Sequence, residues 1–211
     1  RLEEEKKASH RMALIRLISQ TGQAAMEVAR QRLHDDRWYV VRNACTVLAD
    51  LKDPLLLGEM GEVLKHADER VQQAAFGAVI KIAAPERAKA LAEALPHLKS
   101  AVLESSLDEL RFWKSPLGVD GLEQFIATAN AKQAHQEKAI FALLAVPEDG
   151  GIEALSKVLV NRENLTPIRR MTIKRLGESD SQAAYAALSE VASRAPKDPL
   201  AAECQKALEI Q

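Results

Sequence analysis

Three histidines recur near the predicted ends of successive helices, and imidazole is the commonest side-chain ligand for metal ions in proteins. They are His34, His66 and His97, separated by 32 and 31 residues. Equivalent positions in neighbouring helical repeats lie about 8–10 Å apart, whereas zinc-to-nitrogen bonds are about 2 Å long. One ion therefore cannot bind all three, and we predict surface or link residues and no metal.

Asp36 and Arg42 have the side chains of a catalytic acid beside an anion-binding cation. An acid before a helix also suits the helix dipole, and an arginine in the first turn closes a link by hydrogen bonds, so we predict a structural pair. The sequence contains no Gly-rich phosphate loop, no Gly-x-Ser-x-Gly motif and no cysteine pair at metal spacing. We therefore predict no catalytic residue, no cofactor and no enzyme activity.

A group of basic residues late in the chain could hold phosphates: Arg162, Arg169, Arg170, Lys174 and Arg175. Acidic residues on the neighbouring predicted helices interrupt this positive surface, namely Glu104, Asp108, Glu109 and Glu137. Aromatic residues that could stack on bases are scarce. Nucleic-acid binding is therefore an alternative, an acidic protein segment suits the group at least as well, and a simple solvated face suits it better than either.

Phe76, Phe112 and Phe141 fall on three consecutive predicted helices, away from the Ala and Leu positions assigned to the core. If exposed, they would form an apolar track of the kind that anchors a partner helix or peptide. The alternative is that they belong to the core, because a central helix of a stacked array contacts its own partner and both neighbours. Trp38-Tyr39 is predicted to pack back onto the start of its helix rather than to stack on a ligand. The candidate partner-binding residues are Asn43, Phe76, Phe112, Phe141, Arg170 and Lys174.

The composition of the 211 residues favours a helical protein, with 47% hydrophobic but only 4% aromatic residues. A net charge of -1 gives no global field that would attract nucleic acid or a membrane. The two cysteines, Cys45 and Cys204, are predicted to be free thiols in a reducing compartment. The longest apolar run, 139–146, is too short to span a bilayer. Because no Met begins the sequence, we expect a piece of a longer protein. We expect that protein to be cytoplasmic.

Four prolines repeat every 31 residues, at Pro54, Pro85, Pro116 and Pro147. Proline is tolerated in the first turn of a helix, so the spacing marks regular helix starts. Apolar trios follow in the same register, and Gly150-Gly151 marks a two-residue loop insertion. First helices are predicted near 23–34, 54–65, 86–97, 118–129, 149–160 and 181–193, and second helices near 40–52, 70–83, 101–114, 134–146, 167–177 and 199–210, with an unpaired second helix near 9–20.

A period of about 31 residues with two helices per unit predicts a stacked array, because one helical hairpin cannot bury its apolar faces alone. The fold class is therefore all-α, an α-solenoid of about six two-helix repeats forming one domain over 1–211. Exposed end repeats could also pair with a second copy of the chain.

The link between the two helices resembles HEAT repeats, in particular the short bacterial repeats of the PBS-lyase type with the signature Leu-x-Asp-x-Asp-x-x-Val-Arg. Leu64, Asp68 and Val71 match this signature, while His66 and Gln72 replace its first Asp and its Arg. The link at 33–44 is similar with one extra residue. The resemblance implies a right-handed superhelix whose second helices line the concave side, and a platform for other proteins.

Relatives of this resemblance also include di-iron hydroxylases, phycobilin lyases and DNA glycosylases. The hydroxylases bind iron through His-Glu pairs, whereas the five histidines here are followed by Arg11, Asp35, Ala67, Leu98 and Gln136. This argues against a hydroxylase. An enzyme of the lyase or glycosylase kind stays an alternative, for which the sequence shows none of the residue clusters that such chemistry requires. We predict a bacterial protein-interaction scaffold that binds another protein or peptide in the groove of the second helices.

Overall fold

A computed structural model describes residues 7–128, 131–147 and 150–209. The described residues form thirteen α-helices and contain no β-strand. None of these helices is both long and apolar enough to cross a membrane. The all-α fold class expected from composition and periodicity is confirmed.

The helices alternate as the repeat pattern predicts. The first helices of the six pairs are α2 (Gln23–Arg32), α4 (Leu57–Val63), α6 (Arg87–Ala94), α8 (Val119–Ile126), α10 (Gly150–Val160) and α12 (Gln182–Ser193). The second helices are α3 (Trp38–Leu51), α5 (Glu69–Lys81), α7 (Ser100–Trp113), α9 (Gln133–Ala145), α11 (Thr166–Gly177) and α13 (Ala201–Leu208), and the predicted unpaired second helix is α1 (Ala8–Ser19).

The phased prolines stand where first helices begin. Pro54 and Pro116 each open a short 3₁₀ turn, Pro54–Leu56 and Pro116–Gly118, that leads into α4 and α8. The residue before each proline caps the turn: Asp53 accepts a hydrogen bond from the Leu55 N–H, and Ser115 accepts one from the Leu117 N–H. The 31-residue period therefore records a capped helix start at these two repeats.

Residues up to Ser106 form one compact unit and residues from Leu107 form another, with the boundary inside α7. In the first unit α2 packs on α3 and α4 on α5, while α3 also packs on α5 and α4 on α6. Met60, Leu64, Leu91 and Leu95 are fully buried there, as the apolar register predicts. The single domain over 1–211 stays a prediction.

The second unit repeats this arrangement. Here α8 packs on α9, α10 on α11 and α12 on α13, and neighbouring pairs join through contacts such as α10 with α12 and α11 with α13. The buried trios Leu122, Phe125, Ile126 and Leu155, Val158, Leu159 keep the predicted spacing on α8 and α10. Each hairpin thus completes the core of its neighbours, as expected for a helical repeat.

Buried polar side chains in the first turn of the second helices bind backbone groups of the links. Gln72 donates to the carbonyls of His66 and His97, each at 2.9 Å, and accepts from the Lys99 N–H at 3.0 Å. Gln136 donates to the Ile126 carbonyl at 2.7 Å. These bonds satisfy backbone groups in partly or fully buried surroundings, so they fix each link against its helix.

Arg169 has the same role on α11, with a charged partner. Its Nε donates to the Leu159 carbonyl at 2.8 Å, and its Nη2 lies 2.7 Å from Asp198 Oδ2. The side chains of Arg169 and Asp198 are 3% and 0% exposed. Asp198 Oδ1 also accepts from the Leu200 N–H at 3.1 Å. One buried ion pair therefore ties α10, α11 and the start of α13 together.

Candidate functional site

Two predicted partner-binding residues lie in the first unit. Asn43 on α3 is buried, with 4% of its surface exposed, and its Oδ1 accepts from Arg42 Nη2 at 2.9 Å and Nε at 3.3 Å. Phe76 on α5 is half-buried. Asn43 therefore orients an arginine, and direct contact of either residue with a partner stays a prediction.

Phe112 and Phe141 lie on α7 and α9 in the second unit. Phe112 is 78% exposed. Phe141 is half-buried, and the guanidinium carbons of Arg111 and Arg175 lie 5.6 and 5.2 Å from its ring centroid. These distances are those of cation–π contacts, so Phe141 interacts with charged side chains of its own surface. Of the three phenylalanines, Phe112 presents the most apolar surface to solvent.

Arg170 and Lys174 are both exposed on α11. Arg170 forms a forked ion pair with Glu203 of α13, with Nε 2.8 Å from Oε2 and Nη2 2.8 Å from Oε1. The hydrogen bond and the charge of Glu203 raise the pKa of Arg170. The positive charge of Arg170 is therefore compensated within the chain, whereas Lys174 projects from the same helix into solvent.

The other arginines of the late basic group also meet carboxylates. Arg169 and Arg162 lie 2.7 and 3.7 Å from Asp198 Oδ2. Arg175 lies 3.1 Å from Glu178. Most of the positive charge counted along the sequence is thus neutralised locally, which weakens the case for a phosphate-binding surface on the fifth repeat.

A second concentration of arginines, which the sequence analysis missed, lies in the first unit. Arg11 on α1, Arg42 on α3 and Arg70 on α5 line a groove of about 340 Å³. This volume is at the lower end of the range of small ligand pockets, about 300–1,000 Å³. The lining residues are Arg11, Met12, Ile15, Arg42, Asn43, Thr46, Arg70, Gln73 and Ala74.

Trp38 holds two of these arginines in place. The guanidinium carbon of Arg70 lies 3.3 Å from its ring centroid and that of Arg42 lies 5.0 Å away. Trp38 also makes an edge contact with Tyr39, with centroids 5.8 Å apart. The pair therefore packs beside the start of α3, and the tryptophan supports guanidinium groups by cation–π contact.

Arg70 is further fixed by Asp68, the residue that caps α5. Arg70 Nε and Nη2 donate to Asp68 Oδ1 and Oδ2 at 3.0 and 2.6 Å. The hydrogen bond from the Arg70 side chain lowers the pKa of Asp68 to about 2. Asp68, which matches the HEAT-like signature of the link, thus holds Arg70 in position at the groove.

Arg42 has a different environment. Burial is the main cause that lowers the pKa of Arg42, and the positive charges of Arg11 and Arg70 lower it further. The negative charge of Asp68 acts in the opposite direction and raises it. The predicted pairing of Arg42 with Asp36 was wrong: Arg42 binds the neutral amide of Asn43, and the link carboxylate that pairs with an arginine is Asp35, whose partner is Arg37. The missed signal was the period itself, because Arg11 and Arg42 are 31 residues apart.

The recurring histidines are separate link residues. His34 and His97 are exposed, and His66 Nδ1 accepts from the Asp68 N–H at 2.9 Å. Over residues 7–128, 131–147 and 150–209, no group of three or more His, Cys, Asp or Glu side chains is placed to hold a metal ion. The two cysteines are free and buried.

Comparison with known proteins gives a family match over part of the chain. Residues 26–113 match the family model for HEAT repeats. No curated protein matches the sequence.

Similar solved structures include an engineered protein, 19% identical over 88% of this chain and 95% of that chain, with a TM-score of 0.40. The complex of CpcE and CpcF of phycocyanin lyase from Nostoc sp. PCC7120 is 18% identical over 98% of this chain and 90% of that chain, with a TM-score of 0.44. Human deoxyhypusine hydroxylase is 17% identical over 99% of this chain and 92% of that chain, with a TM-score of 0.38.

The matched segment begins in α2 and ends with α7, and it includes the link in which Leu64, Asp68 and Val71 carry the signature. Its helices alternate and pack as pairs, and the described helices after it continue that alternation. Residues 26–113 of this all-helical repeat chain are therefore similar to HEAT repeats.

Proposed function

We propose that this chain is a non-catalytic scaffold that holds another protein on the surface of its second helices. HEAT repeats generally mediate protein interactions. The observation that carries the proposal for this chain is the groove across α1, α3 and α5. Three consecutive second helices contribute to it, so a bound segment would contact several repeats at once.

The groove combines the two kinds of surface that peptide recognition uses. Met12, which is 42% exposed, Ile15 and Ala74 supply apolar contact area. Asn43, Thr46 and Gln73 supply hydrogen-bonding groups on the same walls. Apolar area with a small number of placed polar groups gives affinity together with orientation.

Nucleic-acid binding on the fifth repeat is not proposed. Arg170 is paired with Glu203, and Arg169 is buried against Asp198. A cation that already has a carboxylate partner releases fewer counterions when it meets a phosphate, which removes much of the electrostatic drive for such binding. The two buried free thiols support a reducing compartment such as the cytoplasm. Self-association through end repeats stays a prediction.

The test of the scaffold function is a peptide-display selection against the whole chain, followed by affinity measurements on the selected peptides. Ala74→Trp fills the groove, and Ala24→Trp adds the same ring to an exposed position of α2 in the same unit. We expect Ala74→Trp to weaken binding by about tenfold or more, equivalent to about 1.4 kcal/mol, with Ala24→Trp close to wild type.

Equal binding by both variants would place the site outside the groove across α1, α3 and α5. A selection that yields no saturable peptide would contradict the scaffold function itself. Circular dichroism of both variants checks that the added rings leave the helices intact.

A further inference from the structure

The groove across α1, α3 and α5 has charged groups of one sign. Arg11, Arg42 and Arg70 are the ionisable residues among those that line it, and all three are cations. Like charges brought together repel one another, so their arrangement costs free energy unless an anion compensates it. The wall of the groove supplies no carboxylate among its lining residues.

Arg70 has local compensation that leaves its position fixed. Asp68 accepts from two of its nitrogens, Nε and Nη2, and its guanidinium carbon lies 3.3 Å from the centre of the Trp38 ring. A stacked and forked guanidinium loses little further side-chain entropy when it binds an anion. Arg70 is therefore held in place at one end of the groove, with much of its charge compensated by Asp68.

Arg42, in the middle of the groove, lacks such compensation. The described part of the chain gives it no carboxylate within 4 Å, and its hydrogen bonds go to the neutral Oδ1 of Asn43. Its pKa is lowered by partial burial and then by the charges of Arg11 and Arg70. A carboxylate bound at this point would restore the attraction that the cation lacks.

We propose that this groove is a site for the carboxylate side chains of an acidic segment of the partner protein, with Arg42 as the central contact and Arg11 and Arg70 beside it. This inference rests on the proposed scaffold function and names the chemistry of the partner. Charge complementarity is its argument: three cations line the groove, in a chain whose net charge is -1.

The spacing of the arginines indicates the pattern of the bound segment. They stand on successive second helices, and packed helices lie about 8–10 Å apart. A polyproline II segment advances about 3.1 Å per residue with three residues per turn, so acidic residues three positions apart lie on one face and match this distance. An apolar residue between the acidic residues of the bound segment can contact the exposed side of Met12.

The surroundings favour a polypeptide over nucleic acid. Base recognition in single strands uses free aromatic faces, whereas the Trp38 ring stacks against the Arg70 guanidinium. Met12 and Ile15 add apolar contact area that a phosphate backbone does not use. A nucleic acid is therefore the competing ligand of the test.

The test uses a fluorescein-labelled peptide with Glu at every third position and Leu or Ala between, and a matched peptide with Gln in place of Glu. Fluorescence anisotropy gives Kd for the wild-type chain, for Arg42→Gln and for Arg16→Gln, which removes an exposed cation of α1 outside the groove. Because the variant loses charge-assisted hydrogen bonds to the carboxylate, we expect Arg42→Gln to raise Kd by about tenfold or more.

We expect Arg16→Gln to bind the acidic peptide within about twofold of wild type, a difference of about 0.4 kcal/mol, and the Gln peptide to show no saturable binding. The Gln peptide needs no change to the protein, so it tests the inference even if Arg42→Gln alters stability, which thermal unfolding reports. Trp38 fluorescence in a Trp113→Phe background should change on binding, because Trp38 contacts two groove arginines.

Equal loss in Arg42→Gln and Arg16→Gln, or equal binding of the Glu and Gln peptides, would overturn the inference. Stronger, Arg42-dependent binding of single-stranded DNA would overturn it in favour of a nucleic-acid site. If the acidic peptide fails while display-selected peptides still lose affinity in Ala74→Trp, the inference fails and the scaffold function stands. If no peptide of either kind binds, the scaffold function fails as well.

Discussion

Replacing Asp198 with Asn should destabilise the fold strongly, although the two side chains have nearly the same shape. The carboxylate is 0% exposed and accepts from Arg169 at 2.7 Å and from the Leu200 N–H at 3.1 Å. A neutral amide in its place would leave the Arg169 guanidinium buried without a charged partner. Removing one member of a buried ion pair costs about 3–5 kcal/mol.

That loss is a large part of the stability of a typical domain, about 5–15 kcal/mol. At about 2–4 °C per kcal/mol for a transition of 150–250 residues, it corresponds to a fall in Tm of roughly 6–20 °C. Urea unfolding followed by circular dichroism at pH 7 measures the free energy directly. Asp180→Asn, which removes the same charge from an exposed position in the same unit, is the matched control.

The pH dependence gives an independent check. Burial alone raises the pKa of Asp198, but the hydrogen bonds from Arg169 and Leu200 and the charges of Arg169 and Arg162 outweigh it and hold that pKa below its ordinary value. A lowered pKa contributes stability that is complete above the unfolded pKa, about 3.9, and is lost as the pH falls through the folded pKa. The difference between wild type and Asp198→Asn should therefore shrink below about pH 4.

Two results would refute this reasoning. One is an Asp198→Asn variant within about 0.5 kcal/mol of wild type at pH 7, the range of ordinary surface substitutions. The other is a destabilisation that stays constant as the carboxylate titrates.

Two further predictions concern the backbone and the thiols. Gly151→Ala should lower the free energy of unfolding by about 1–3 kcal/mol, because the added methyl group would overlap the Leu143 carbonyl. Gly150→Ala, which has open space around it, should leave that free energy unchanged or raise it by up to about 1 kcal/mol. Equal effects of the two variants in urea unfolding would contradict the close approach of Gly151 to Leu143. Cys45 and Cys204 should not react with a thiol reagent at pH 8 until the chain unfolds, since burial raises their pKa values to about 12 and about 11. Rapid labelling of the native protein would contradict this prediction, because it would show that the fold opens locally around these thiols.

The helical pairs were predictable because local signals agree with one another. Pro54 and Pro116 restrict the backbone at helix starts, and the apolar trios return in the same register, so both indicate the same repeat. The helix order needed no knowledge of long-range contacts. The structure adds caps that the sequence analysis did not name, such as Asp53, which accepts from the Leu55 N–H.

The groove was harder to predict because it depends on which link acid meets which arginine. Asp35 accepts from Arg37 and Asp68 from Arg70, both two residues apart, while Arg42 donates to Asn43 instead of the predicted Asp36. Short-range competition of this kind does not show in a 31-residue period. The sequence likewise does not show that Arg170 of the late basic group pairs with Glu203, which is 33 residues away.

The amide of Gln72 has a consequence for how arrays of this kind change length. The Gln72 side chain binds backbone groups of two links. His66 belongs to the link before α5, and His97 and Lys99 belong to the link between α6 and α7. Loss of a single helix would break this bridge and leave polar groups without hydrogen-bond partners. Gain or loss of a complete hairpin would instead supply an equivalent set of polar groups at the same positions. We therefore expect related chains to differ by whole hairpins, so that their lengths change in steps of one period.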